Sequence, residues 1–256
     1  ELLNSLSKKK NMVQDIIIRL SPAIELDERT HEYTTTGILD SKFGFAIDNG
    51  DAERAINMIA EYENLNLIGI HFHLGSPLFS TKPYELGIRK VAEFISHFDN
   101  FDLQEFSPGG GFAVSYTRDD SPPDVSDYAS VIGNTMNEVI SEYNLPKPKL
   151  VIEPGRAIAG PAGIAIYTVG AIKNIENVRK FISVDGGMGD NIRPALYGSK
   201  YEAIVVNRLW DERPKELVTI VGKYCESGDI LVKDIELPEI KSGDLIAIPV
   251  SGAYST

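Results

Sequence analysis

At 256 residues, 43% hydrophobic and 24% charged, the chain is long enough to bury a sizeable core and has the balance of an ordinary globular protein. Its net charge of -12 is spread along the chain with no basic run able to neutralise phosphates, so nucleic acid is not an expected partner. There is no run of about 18 apolar residues and no charged-then-apolar leader. A single cysteine, Cys225, rules out an internal disulfide, and the expectation is a cytoplasmic protein that does not enter a membrane.

The chain opens in a helical pattern, Glu1 to Lys9, with Leu2, Leu3 and Leu6 on one side. Asp15 to Leu20 is a short apolar run suited to a buried parallel strand, and Asp51 to Glu63 then shows helical spacing through Ala55, Met58 and Ile59. Leu65 to His73 predicts a second strand, followed by a helix near Pro83 to Phe98. Leu103 to Phe106 predicts a third, leading through Gly109, Gly110 and Gly111 to a helix around Asp127 to Tyr143. Lys149 to Glu153 is a fourth. Beyond it the pattern turns to short β-type runs separated by turn signals: Ile164 to Ile172, Phe181 to Val184, Tyr201 to Val206, Leu217 to Val221 and Leu245 to Val250.

The fold class is therefore α/β, a partial TIM-type barrel over residues 1–160 followed by an all-β domain over 161–256. A closed barrel needs eight βα units and four are visible, so the rest is expected to lie outside this sequence. A complete open sheet is the alternative, but the first twenty residues lack the first strand and phosphate turn of such folds.

Chemistry in a barrel gathers at the strand ends, which here read His71-Phe72-His73-Leu74-Gly75-Ser76, Gly109-Gly110-Gly111-Phe112 and Glu153-Pro154-Gly155-Arg156. Singly, these are a structural histidine, a tight turn and an ion pair. Glycines also let backbone N–H groups approach an anion closely.

In this order and spacing they resemble the fold-type III decarboxylases that use pyridoxal phosphate. The resemblance runs from about residue 13 to the end. It implies that His73 stacks on the cofactor ring, and that Ser76 and the run Gly109, Gly110 and Gly111 hold its phosphate. Gly155 and Arg156 line the same site. Glu153 would pair with the pyridine nitrogen, keeping it protonated so that the ring can accept the electrons released with carbon dioxide.

The second domain resembles the diaminopimelate decarboxylase branch. Val184-Asp185-Gly186-Gly187-Met188 and Ile192-Arg193-Pro194-Ala195-Leu196-Tyr197 look like the stretch whose arginine and tyrosine hold a substrate carboxylate, a task suited to a guanidinium group. Cys225-Glu226-Ser227-Gly228-Asp229 is similar to a segment whose cysteine donates a proton and whose glutamate receives the distal amino group. Ser251-Gly252-Ala253-Tyr254 is similar to one whose tyrosine reaches the phosphate. The substrate set implied is Arg156, Arg193, Tyr197, Glu226 and Tyr254, with Cys225, His73 and Glu153 as the catalytic groups. The implied reaction takes meso-diaminopimelate to L-lysine and carbon dioxide in a homodimer with shared active sites. No metal is expected.

Pro77 and Ser107-Pro108 depart from the family pattern without touching this chemistry. The lysine that would hold the cofactor covalently has no counterpart here: Lys42 sits in a loop segment and Lys8 to Lys10 form a charged run. Truncation at both ends is the expectation, and this piece alone is expected to be inactive. Related decarboxylases for ornithine, arginine, carboxynorspermidine or a carrier-bound amino acid are disfavoured by Glu226 after the cysteine. A non-catalytic, decarboxylase-like binding protein would be expected to lose cofactor ligands first, and a cofactor-independent aldolase or isomerase would not explain the Cys225 segment.

Overall fold

The computed structural model describes residues 1–24, 26, 41–98, 101–208 and 214–255. They form two compact units. One comprises Glu1–Ala113 and Pro122–Pro154, the other Val114–Ser121 and Gly155–Thr256.

The first unit is a parallel α/β layer. After the helix α1 (Leu2–Lys9) come β1 (Gln14–Ser21), a two-residue β2 (Phe45–Ala46), α2 (Asp51–Ala60), β3 (Leu65–Phe72), α3 (Lys82–Ile95), β4 (Glu105–Gly110), α4 (Val125–Glu142) and β5 (Lys149–Glu153). The sheet order is β2-β1-β3-β4-β5, and every pair is parallel. This is the expected partial TIM-type barrel. Apolar residues of the central strands are covered: Ile18, Ile70 and Phe106 stand in register and are buried, as are Ile88, Val91, Ala92 and Ile95 of α3, whereas β5 is largely exposed. Phe72 meets Phe106 edge-on at 6.0 Å. A reciprocal capping box between Asp124 and Asp127 starts α4 by satisfying otherwise orphaned N–H groups.

One element reaches further than its apolar pattern. β4 continues through Ser107-Pro108-Gly109-Gly110, so two of the glycines are strand residues and pair with Ile152 and Glu153 of β5. A register shift between Phe106 and Gly109 absorbs the proline, which cannot donate to the ladder.

The second unit is built on α5 (Gly155–Ala159), β6 (Ala165–Ile175), β7 (Arg179–Val184), α6 (Arg193–Tyr197), β8 (Ile204–Val205), β9 (Lys215–Val221), β10 (Ile230–Pro238) and β11 (Leu245–Ile248). The strands make one sheet in the order β10-β9-β7-β6-β11-β8, antiparallel except between β7 and β9. Tyr167, Val169, Ile182, Ile220 and Ile246 form its core together with Val114 and Tyr116. That packing puts Val114–Ser121 with the β unit, whose main stretch starts at Gly155. β10 is hidden in the sequence because Lys233-Asp234 breaks its apolar run; Asp234 has φ +54° and the pairing with β9 shifts around it. Among the described residues no helix is long and apolar enough to cross a membrane.

Candidate active site

Three strand ends of the first unit converge. His71 is the last residue but one of β3, and His73 follows directly after the strand. Nδ1 of His73 accepts a hydrogen bond from the Gly110 N–H at 3.1 Å, which requires that nitrogen to be unprotonated. Burial, and then the nearby Arg19 guanidinium, push His73 down to about 4, with Glu153 only partly opposing. His73 is thus a neutral ring at physiological pH. Arg19 donates to the His73 carbonyl at 3.4 Å and lies 4.7 Å over the Phe43 ring.

Glu153 closes β5 with a side chain that is 51% exposed, and its Oε1 stands 3.2 Å from Nε2 of His71. The carboxylate is the close polar neighbour of that buried nitrogen, an attraction that favours the protonated ring. Burial is also the main reason His71 titrates below its usual value, against the pull of Glu153.

The glycines permit this convergence. Gly109 has φ +77° and Gly111 φ +97°, conformations that other residues rarely adopt. A Cβ at Gly109 would sit 2.8 Å from Nδ1 of His73, and one on Gly110 would strike the Glu153 carbonyl. The glycine run is held from below by aromatic hydroxyls: Tyr84 donates to the Gly110 carbonyl at 2.8 Å and Tyr128 to the Leu78 carbonyl at 2.6 Å. Leu78 in turn donates to the Gly111 carbonyl at 2.8 Å, while the Phe112 ring lies 4.8 Å from Tyr128 and 5.6 Å from Tyr84. Ser76 is half-buried just beyond β3.

The second unit carries the remaining candidates. Arg156 on α5 is 5% exposed; it donates to the Tyr116 hydroxyl and lies 4.4 Å over the ring of Tyr254, while Gly155 beside it is exposed. Arg193 opens α6 at 6% exposure, with its Nη1 donating to the Tyr201 hydroxyl at 2.6 Å and its guanidinium 4.6 Å over the Tyr116 ring. Among the described residues no ion pair neutralises Arg193. A desolvated guanidinium held by neutral phenols is prepared to take an anion. Tyr197 ends α6 half-buried.

Cys225 and Glu226 are exposed in the turn between β9 and β10. The turn is anchored by Asp229, 3% exposed, whose carboxylate accepts from the N–H groups of Met188 at 2.6 Å and Tyr224 at 2.8 Å. The Cys225 segment and the Gly186-Gly187-Met188 segment are therefore one local structure. Sequence reasoning missed Tyr84, Tyr116, Tyr128 and Tyr201, and it left His71 and Asp229 without roles. Their partners lie far along the chain, and no local spacing marks such contacts.

Residues 1–160 match the family model described as "Pyridoxal-dependent decarboxylase, pyridoxal binding domain". The chain is 43% identical to the diaminopimelate decarboxylase of Bacillus subtilis (strain 168), an alignment that covers 99% of this chain and 58% of that protein. It is 42% identical to the diaminopimelate decarboxylase of Synechocystis, covering 100% of this chain and 54% of the relative. Among solved structures, the diaminopimelate decarboxylase from M. jannaschii matches with a TM-score of 0.88 at 33% identity, over 99% of this chain and 57% of that one. The Helicobacter pylori enzyme complexed with L-lysine matches with a TM-score of 0.85 at 31% identity, over 99% and 60%. The chain thus spans under two thirds of the length of these relatives. With the family model spanning the parallel sheet and its strand-end groups, the chain belongs to the pyridoxal-dependent decarboxylase family.

Proposed function

We propose that the full-length protein uses pyridoxal phosphate to decarboxylate meso-diaminopimelate to L-lysine, acting in the cytoplasm as a homodimer with shared active sites. Glu153 is the observation that carries the reading: an accessible carboxylate at a parallel strand end, 3.2 Å from Nε2 of His71, whose burial disfavours the charged ring. The relatives named diaminopimelate decarboxylase, some with L-lysine bound, support the choice of substrate.

The residues present fit the cofactor. Glu153 offers an acidic partner for a protonated ring nitrogen, His73 a neutral flat ring for stacking, and the glycine run leaves the strand end without side chains. Ser76, Gly155, Arg156 and Tyr254 are assigned to the phosphate side. Bound there, pyridoxal phosphate supplies an electron sink for the bond to the departing carboxylate. Arg156, Arg193 and Tyr197 hold a substrate carboxylate, with Tyr254 beside Arg156. Glu226 orients the distal ammonium, and the Cys225 Sγ carries the proton to the carbon that has lost carbon dioxide.

On this reading residues 1–160 contribute part of the cofactor barrel and residues 161–256 part of the β domain that recognises substrate. Exposure of Cys225 and Glu226 supports their reaching into a neighbouring subunit's site. The test compares meso-diaminopimelate, ornithine, arginine and lysine as substrates of the full-length protein. Glu226→Gln should lower kcat/KM for diaminopimelate by about 1.5 to 3 kcal/mol, as for a charge-assisted hydrogen bond. Preference for ornithine would overturn the substrate. For the shared site, inactive Cys225→Ala and Glu153→Gln chains are mixed; no recovered activity despite subunit exchange would count against it.

A further inference from the structure

Tyr116 belongs to the short Val114–Ser121 stretch that joins the β unit away from its neighbours in sequence. Its buried ring meets two cations at once. The Arg193 guanidinium lies 4.6 Å and that of Arg156 5.7 Å from the ring centroid, and Arg156 also donates to the Tyr116 hydroxyl. Like charges in a buried setting repel strongly, and an aromatic face with an accepting oxygen at its edge is one of the few uncharged groups that attracts both.

The ring is itself held rigidly. Tyr201 packs edge-on against it at 4.9 Å while accepting from Arg193, and the Asp120 carboxylate accepts from the N–H groups of Tyr116 and Thr117, each at 2.9 Å. A plain core tyrosine needs neither two guanidinium neighbours nor a carboxylate-pinned backbone.

We infer that Tyr116 is a positioning residue for substrate recognition, setting the spacing and tilt of Arg156 and Arg193 so that the pair receives a carboxylate-bearing ligand. It acts through the two arginines and touches no substrate itself. The inference rests on the proposed reading of those arginines as carboxylate holders, and the experiment separates the two.

The full-length protein loaded with cofactor is compared as wild type, Tyr116→Leu, Tyr116→Phe and Arg193→Lys. L-lysine binding is read by isothermal titration, KM and kcat with meso-diaminopimelate, and the fold by ligand-free melting. Tyr116→Leu should weaken L-lysine binding about 10- to 30-fold, the loss of a desolvated cation–π contact, and raise KM in parallel while kcat changes far less. Tyr116→Phe keeps the ring and should recover to within about fivefold of wild type, the loss of one hydrogen bond. Arg193→Lys should match Tyr116→Leu, because an ammonium cannot reproduce the planar group. If Tyr116→Leu does not fold, Tyr116→Met, which also lacks a ring but is longer, takes its place under the same thresholds. Wild-type binding in Tyr116→Leu with loss in Arg193→Lys overturns the positioning role and leaves the arginine reading intact. Wild-type binding in both variants removes the arginine reading and the inference with it.

Discussion

Nε2 of His71 lies 3.2 Å from Oε1 of Glu153, although the strands that carry them, β3 and β5, are separated by β4. The contact reaches across β4 where that strand ends in Gly109 and Gly110 and has no side chains to interpose. His71 thus flanks the carboxylate on which the proposed chemistry depends.

Removing that flank should loosen the cofactor. His71→Phe in the full-length protein is expected to weaken pyridoxal phosphate binding by about 1 kcal/mol, since the carboxylate loses one polar neighbour but keeps its place at the strand end. Fluorescence titration of the cofactor measures this. Unchanged affinity together with an unchanged absorbance band would leave His71 as packing only.

Protonation of His73 should cost stability in acid. Its folded value of about 4 lies below the ordinary imidazole value of 6.5, so the unfolded chain takes the proton first. The contribution is whole above pH 6.5 and falls as pH drops towards 4, by roughly 3 kcal/mol at most. Melting temperatures at pH 7 and 4.5 should diverge more for wild type than for His73→Phe. Parallel pH slopes for the two proteins would remove this account.

Gly109→Ala should be far more damaging than an alanine substitution at an ordinary glycine. The added Cβ meets Nδ1 of His73 at 2.8 Å while the backbone is at φ +77°, so strain and collision add. A loss of at least about 2 kcal/mol in denaturant unfolding is expected, along with weakened cofactor binding. Gly133→Ala is the control, because its Cβ would meet nothing within 4 Å in the middle of α4. Equal stability of the two variants would contradict the crowding.

Asp229→Ala should release the Cys225 turn. The part-buried N–H groups of Met188 and Tyr224 lose their acceptor, costing about 1 to 3 kcal/mol. Turnover should fall while cofactor absorbance stays, since neither Asp229 nor the Cys225 turn is among the residues assigned to the cofactor. Turnover at the wild-type rate would show that the turn holds its shape without the carboxylate.

Local pattern carried a good deal. The apolar runs at Asp15 to Leu20 and Lys149 to Glu153 became β1 and β5, although only the end of β1 is buried and β5 keeps Leu150 and Ile152 exposed. β10 escaped because a left-handed Asp234 divides its apolar residues, a choice that pairing with β9 makes worthwhile and composition does not reveal. The glycine run looked like a loop because glycine carries no strand preference. Its inclusion in β4 follows from pairing with β5.

By itself the sequence determined the parallel and β segments, the residue types at the strand ends and the family that they resemble, all properties of neighbours within a few positions. Only the tertiary structure decided which of those groups meet. Long-range packing set His71 against Glu153, made His73 a neutral ring through burial, and brought Tyr116 from the first half of the chain between Arg156 and Arg193. Such relations depend on desolvation and on distances between segments 37 to 82 residues apart, 37 from His73 to Gly110 and 82 from His71 to Glu153, which no local spacing encodes.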